Sequence, residues 1–181
     1  MPDPSATIVA LVGPRCSGKT SVGRALARKL GWPFVDLDEE IDPPRAAGEL
    51  LAAIGEPAFR DLEERALRDR VARGGPVVIA CGGGAVERGA SRRLLARSTT
   101  CVWLRSSPAE LARRMRADPT PRPSLTGADP VDEIEAVLAR REPCYAEVAA
   151  ITGDGRGVGI EEIAAEVAGR IGRGGLPGCR G

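Results

Sequence analysis

Thr7-Ile8-Val9-Ala10-Leu11-Val12-Gly13-Pro14-Arg15-Cys16-Ser17-Gly18-Lys19-Thr20 runs from an apolar stretch into a glycine-bounded loop ending in Lys-Thr, and its reading decides the fold. Gly13 to Thr20 fits G-x-x-x-x-G-K-[ST], a phosphate-binding loop, and spends one of the two lysines in the chain on it. Thr7–Val12 has the apolar continuity of a buried parallel strand, and residues 21–30 have the amphipathic pattern of a helix. An ordinary glycine-rich turn is the competing reading, and the strand–loop–helix setting argues against it. Backbone N–H groups of Cys16, Ser17, Gly18, Lys19, Thr20 and Ser21 are placed to wrap phosphates at a helix N-terminus. Lys19 reaches the terminal phosphates, and the Thr20 hydroxyl is a ligand for Mg²⁺.

Outward from that loop, composition removes whole chemistries. The chain has no His, Asn or Gln, so a histidine base, a Ser-His-Asp triad and a His-ligated zinc are excluded, and acid–base work falls to carboxylates. The guanine-reading N-K-x-D box and the water-orienting Gln of GTPases cannot be written either. A length of 181 residues and a net charge of +1 suit one α/β domain with no nucleic-acid or membrane partner expected. Cys16, Cys81, Cys101, Cys144 and Cys179 are odd in number and never C-x-x-C, which reads as reduced thiols. Without an apolar run of spanning length or a charged leader at Met1-Pro2-Asp3-Pro4, the expectation is a cytoplasmic protein.

Strand-like runs at Thr7–Val12, Phe34–Asp36, Val77–Ala80, Cys101–Leu104 and Ala149–Thr152 alternate with helical stretches. The expected helices are Lys19–Leu30, Arg45–Ile54, Ala58–Arg73, Ser91–Ala96, Pro108–Ala117, Val131–Ala149 and Ile160–Ile171. Alternation of β and α predicts a parallel sheet. Prolines at 119, 121, 123 and 130 mark the stretch from Asp118 to Pro130 as a surface loop or lid. Domain organisation reads as one unit over residues 1–171, with a lid at about 115–130 and a Gly-rich disordered tail at 172–181.

Three places carry chemistry beyond the loop. Asp36-Leu37-Asp38 ends the second strand on the edge that bears the phosphate loop. Period-two alternation puts both carboxylates on one side, one to hold Mg²⁺ through water and one to accept a hydroxyl proton. A solvated strand end with a helix-capping Asp is the alternative. Gly82-Gly83-Gly84 follows the third strand and reads either as a close-approach nest for a substrate oxygen or carboxylate, or as a tight turn. Among the many arginines, position selects Arg60, which if buried needs a partner such as a substrate carboxylate or Glu63. It also selects Arg122 in the lid, and one of Arg140-Arg141.

Taken in order, six blocks resemble the shikimate kinase family from about Ile8 to Thr152. They are Gly13–Thr20, Phe34–Asp38, Gly55–Glu63, Ala80–Gly84, Arg122–Gly127 and Arg141–Tyr145. The resemblance implies a nucleoside monophosphate kinase-like fold: a three-layer α/β/α domain with a five-stranded parallel sheet, a mobile lid and a substrate-binding segment at about 37–63. It implies transfer of the γ-phosphoryl of ATP to the 3-hydroxyl of shikimate, in aromatic amino-acid biosynthesis, by a monomer. By the same resemblance Asp38 binds the acceptor hydroxyls and serves as base. Arg60, Arg141 and the Gly83 amide hold the acceptor carboxylate, Lys19 and Arg122 stabilise the transferring phosphoryl, and Thr20 with Asp36 organises Mg²⁺. Arg114 and Arg156 fall on the ATP side. Two departures stand out: Asp42-Pro43-Pro44-Arg45-Ala46-Ala47-Gly48-Glu49 replaces the family's T-G-x-S-I stretch, and Gly153-Asp154-Gly155-Arg156-Gly157 replaces its usual adenine-side loop. A kinase of another polyol, gluconate-like or a cyclitol, is the neighbouring reading, and an ATP-binding regulator without transfer is the reading from a different class. Keeping both Arg60 and Arg141 favours a carboxylate acceptor.

Overall fold

A computed structural model describes residues 8–41, 47–118, 129–155 and 157–173. Its five strands are β1 (Ile8–Val12), β2 (Phe34–Asp36), β3 (Val77–Ala80), β4 (Thr100–Arg105) and β5 (Ile151–Asp154), all parallel in the order β2-β3-β1-β4-β5. Eight helices alternate with them: α1 (Lys19–Leu30), α2 (Leu37–Ile41), α3 (Ala47–Ile54), α4 (Glu56–Arg73), α5 (Gly89–Ser98), α6 (Pro108–Ala117), α7 (Ile134–Val148) and α8 (Ile160–Arg173).

The apolar run of β1 is buried throughout because helices cover both faces of the sheet. Ile8, Ala10 and Val12 point into one layer with Leu67 of α4, Leu95 of α5 and Tyr145 of α7. Val9 and Leu11 point into the other with Leu26 of α1 and Val167 of α8. That is the three-layer α/β/α arrangement expected from the sequence. Two smaller apolar clusters flank the sheet edge: Leu50, Leu51 and Phe59 join α3 to α4, and Leu111, Ile134 and Leu138 join α6 to α7. Strand order turns outward on both sides of β1, so the carboxyl ends of β1 and β3 open a crevice at the topological switch point.

Several element readings need correction. Strand β2 ends at Asp36 as expected, but Leu37 and Asp38 already belong to α2, which Asp36 starts, its Oδ1 accepting the backbone N–H of Asp38 at 3.2 Å. Asp36 thus acts as the helix-capping residue of the alternative reading, and strand alternation is not what brings Asp36 and Asp38 together. Gly153 and Asp154 are still strand, paired with Leu104 and Arg105, so the loop on that side begins at Gly155. Helix α8 runs through Arg173, two residues into the stretch expected as tail. Residues 119–128 of the expected lid, residues 42–46 of the departure at 42–49, Arg156 and residues 174–181 lie outside the described residues, and residues 47–49 of that departure open α3.

Candidate active site

The phosphate loop leaves β1 and closes on α1 through Gly18, whose left-handed φ of 92° forms the helix N-cap. Cys16 is the one non-glycine residue at positive φ among those described, at 60°. Its side chain packs against the α6–α7 cluster, which ties the loop to those helices. Lys19 Nζ donates to the carbonyls of Gly13 at 2.9 Å and Pro14 at 2.8 Å, two of the three hydrogen bonds an ammonium can give. Burial pushes its pKa below the ordinary lysine value, and Asp38 and then Asp36 oppose that shift. Thr20 Oγ1 donates to Asp36 Oδ2 at 2.7 Å, so the hydroxyl of α1 and the carboxylate ending β2 form one unit beside the loop.

A cavity of about 380 Å³ opens from this loop along the carboxyl ends of β2 and β3. Lys19, Asp36, Asp38, Arg60, the glycine triplet and Arg141 all line it, so residues scattered over more than a hundred positions converge. Asp38 Oδ1 is buried with no hydrogen-bond partner. Burial, and next the charge of Asp36, raise its pKa above the ordinary carboxylate value, against the pull of Lys19 and Arg60. Glu63 is only 3% exposed and its Oε1 is likewise unpartnered; burial raises its pKa, with Arg60 opposing.

Arg60 lies on α4 and gives each of its nitrogens to a different carboxylate: Nη1 to Glu63 at 2.7 Å, Nη2 to Glu56 at 3.0 Å and Nε to Glu87 at 3.1 Å. The question left open in the sequence, substrate carboxylate or Glu63 as its partner, therefore finds Glu63 in place, together with two carboxylates not foreseen. Of the pair on α7, Arg141 is the buried one, at 2% exposure. Its Nε donates to Glu87 at 2.9 Å, and its Nη2 is buried without a partner.

The glycine triplet is explained by what surrounds it. A Cβ at Gly82 would fall 2.1 Å from Glu63 Oε1 and 2.7 Å from Asp38 Oδ1, and one at Gly84 would fall 2.2 Å from the Arg60 guanidinium carbon. Close approach, rather than unusual backbone conformation, is what these positions require. The Gly83 carbonyl accepts from Tyr145 Oη at 2.5 Å, and Tyr145 stacks on Trp103 of β4 with ring centroids 6.0 Å apart.

Arg114 of α6 donates to the Cys16 carbonyl and to the Gly155 carbonyl, each at 3.2 Å, so it bridges the phosphate loop and the loop after β5. Arg122 and Arg156 lie outside the described residues. Sequence reasoning missed Glu56 and Glu87 as partners of Arg60, Arg15 on the cavity wall, and Tyr145 behind the glycine turn, whose signal was its being the sole tyrosine.

Residues 15–171 match the family model described as "Shikimate kinase". The chain belongs to the shikimate kinase family. Shikimate kinase of Nitratidesulfovibrio vulgaris is 47% identical over 148 residues, covering 78% of this chain and 82% of that protein. Shikimate kinase of Rhodopirellula baltica is 40% identical over 162 residues, covering 87% and 86%. A solved structure, shikimate kinase from Acinetobacter baumannii in complex with shikimate, superposes with a TM-score of 0.82 at 31% identity, over 89% of this chain and 90% of that one. Shikimate kinase family membership makes this an ATP-dependent kinase with the nucleoside monophosphate kinase-like fold, and the sheet order described above agrees.

Proposed function

We propose that the chain transfers the γ-phosphoryl of ATP to the 3-hydroxyl of shikimate. The observation that carries this reading is one cavity, opening from a phosphate loop, that holds an unpartnered carboxylate oxygen on Asp38 and an unpartnered guanidinium nitrogen on Arg141. A hydroxyl answers the first and a carboxylate the second, and shikimate carries both on one ring. Each charge-assisted hydrogen bond contributes roughly 1.5–3 kcal/mol, enough to select an anionic polyol over a neutral sugar.

In this reading Asp38 orients the attacking hydroxyl and takes its proton as the new oxygen–phosphorus bond forms and the bond to the departing ADP oxygen breaks. Asp38 need not be a strong base if the transition state is loose. Lys19, through its remaining N–H, and Arg122 neutralise charge on the phosphoryl oxygens. Arg141, Arg60 and the Gly82–Gly84 backbone hold the carboxylate end. Arg114 steadies the nucleotide side of the loop, and Arg156 is assigned there by position alone.

Thr20 and Asp36 suit Mg²⁺ because they offer hard oxygens in contact with each other, and the hydroxyl donates its proton to Asp36, leaving its lone pairs free. When bound, Mg²⁺ supplies charge neutralisation to the phosphates. We also take the protein to work as a monomer in the cytoplasm. The described residues of one chain bring Lys19, Asp38, Arg60 and Arg141 to one cavity, and Cys16, Cys81, Cys101 and Cys144 are free thiols, as a reducing compartment favours.

ADP release from Mg·ATP, compared with shikimate, quinate, gluconate and no acceptor, tests the reading. Shikimate-dependent turnover is expected, and turnover only with another acceptor, or none, overturns it.

A further inference from the structure

Glu87 lies between the glycine triplet and α5, and both of its carboxylate oxygens are engaged. Oε2 accepts from Arg60 Nε at 3.1 Å, and Oε1 accepts from Arg141 Nε at 2.9 Å and from Arg140 Nη2 at 2.6 Å. Its backbone is fixed as well: Glu87 N–H donates to the Gly84 carbonyl at 2.9 Å, and its carbonyl accepts from Arg92 Nη1 at 3.1 Å. The two buried arginines of the cavity come from different helices, α4 and α7, and both turn their Nε edge to this one carboxylate. A guanidinium swings about its Cδ–Nε bond, so a partner at Nε fixes the plane in which the Nη groups lie. With that edge docked, Nη2 of Arg141 is left buried and unpartnered at the cavity.

We propose that Glu87 is a positioning residue that sets affinity for the acceptor carboxylate by clasping Arg60 and Arg141 in register across the cavity. The proposal rests on the shikimate kinase reading. Coulomb's law alone predicts the opposite effect, since a negative charge this close repels an anionic acceptor and its removal would tighten binding. Positioning and charge therefore give opposite signs. The carboxylate stays ionised in this setting: burial works against its charge, but the hydrogen bond and charge of Arg141, then the charges of Arg60 and Arg140, hold its pKa below the ordinary value.

Glu87→Gln and Glu87→Ala in the full chain, assayed with both substrates, decide the matter. The expected result is a rise of about tenfold in the KM for shikimate, the loss of one good charge-assisted contact, with kcat and the KM for ATP within about twofold. A shikimate KM that falls or stays the same, or parallel losses toward both substrates, overturns the proposal. A second readout needs no substrate: in the wild type the Nε–H protons of Arg60 and Arg141 give slowly exchanging NMR signals, and in Glu87→Gln their exchange quickens at least about tenfold. Unchanged exchange refutes the clasp. Wild-type protein inert toward shikimate sinks the functional reading instead, and the Nε–H signals still report on Glu87.

Discussion

Asp38 is held at a cost to the fold that the reaction repays. Its pKa is raised in the folded chain, so the fold favours its protonated form, and this part of stability is greatest at low pH and declines as pH climbs from the ordinary carboxylate value through the raised one. Asp38→Asn should therefore cut kcat by roughly 10²–10⁴-fold while raising Tm at pH 7, with the gain shrinking toward pH 4. Thermal melts across pH, with no acceptor present, check it; a lowered Tm at pH 7 contradicts the account. The absence of histidine removes the usual background between pH 5 and 8, and Glu63, whose pKa burial also raises, is the other carboxylate to follow in parallel. Arg60 behaves differently: removing it takes a partner from three carboxylates and leaves the buried Glu63 without one, so Arg60→Ala should lose about 3–5 kcal/mol of stability in denaturant melts, not acceptor affinity alone. Asp38, Lys19 and Thr20 were legible because a motif or strand end fixes their place. Glu56 and Glu87 were not, since a Glu in an Arg/Glu-rich chain carries no sign of which arginine the fold will bring to it.

Elements show the same division. Helix α1 and helix α6 begin and end where the sequence says, one bounded by Gly18 and Gly31, the other opened by Ser107, whose hydroxyl accepts the Glu110 N–H, and by Pro108. Helix α2 escaped because five residues are too few to show a helical period, and Phe34-Val35-Asp36-Leu37-Asp38 alternates as a strand does. A cap at Asp36 decided otherwise, and only the fold reveals that its carboxylate is also the partner of Thr20. The turn after β3 yields a sharp prediction. Gly82→Ala pushes a methyl into the space of Glu63 and Asp38, so the KM for shikimate should rise at least about tenfold while binding of a fluorescent ATP analogue stays within about twofold. Equal losses toward both ligands would mean that the turn itself had collapsed.

Across the whole molecule, the α/β alternation sufficed for the layers and the parallel sheet, because buried strands and amphipathic helices leave few other ways to pack. Which residues meet at the crevice depends on the strand order, which no local pattern encodes. Arg114 shows this: it stands far along the chain from Cys16 and Gly155, yet its guanidinium joins them. Arg114→Ala should raise the KM for ATP about tenfold and leave that for shikimate within about twofold, as steady-state kinetics will show.

The stack of Trp103 on Tyr145 has an optical consequence. Tyr145 holds the Gly83 carbonyl at the cavity rim, so whatever shifts that turn disturbs the surroundings of a buried indole. The other tryptophan, Trp32, packs on the opposite layer with α1 and α8. Replacing it by phenylalanine leaves a single emitter, and the molecule becomes its own fluorimeter, with acceptor occupancy read from the intensity and colour of Trp103 without any attached dye.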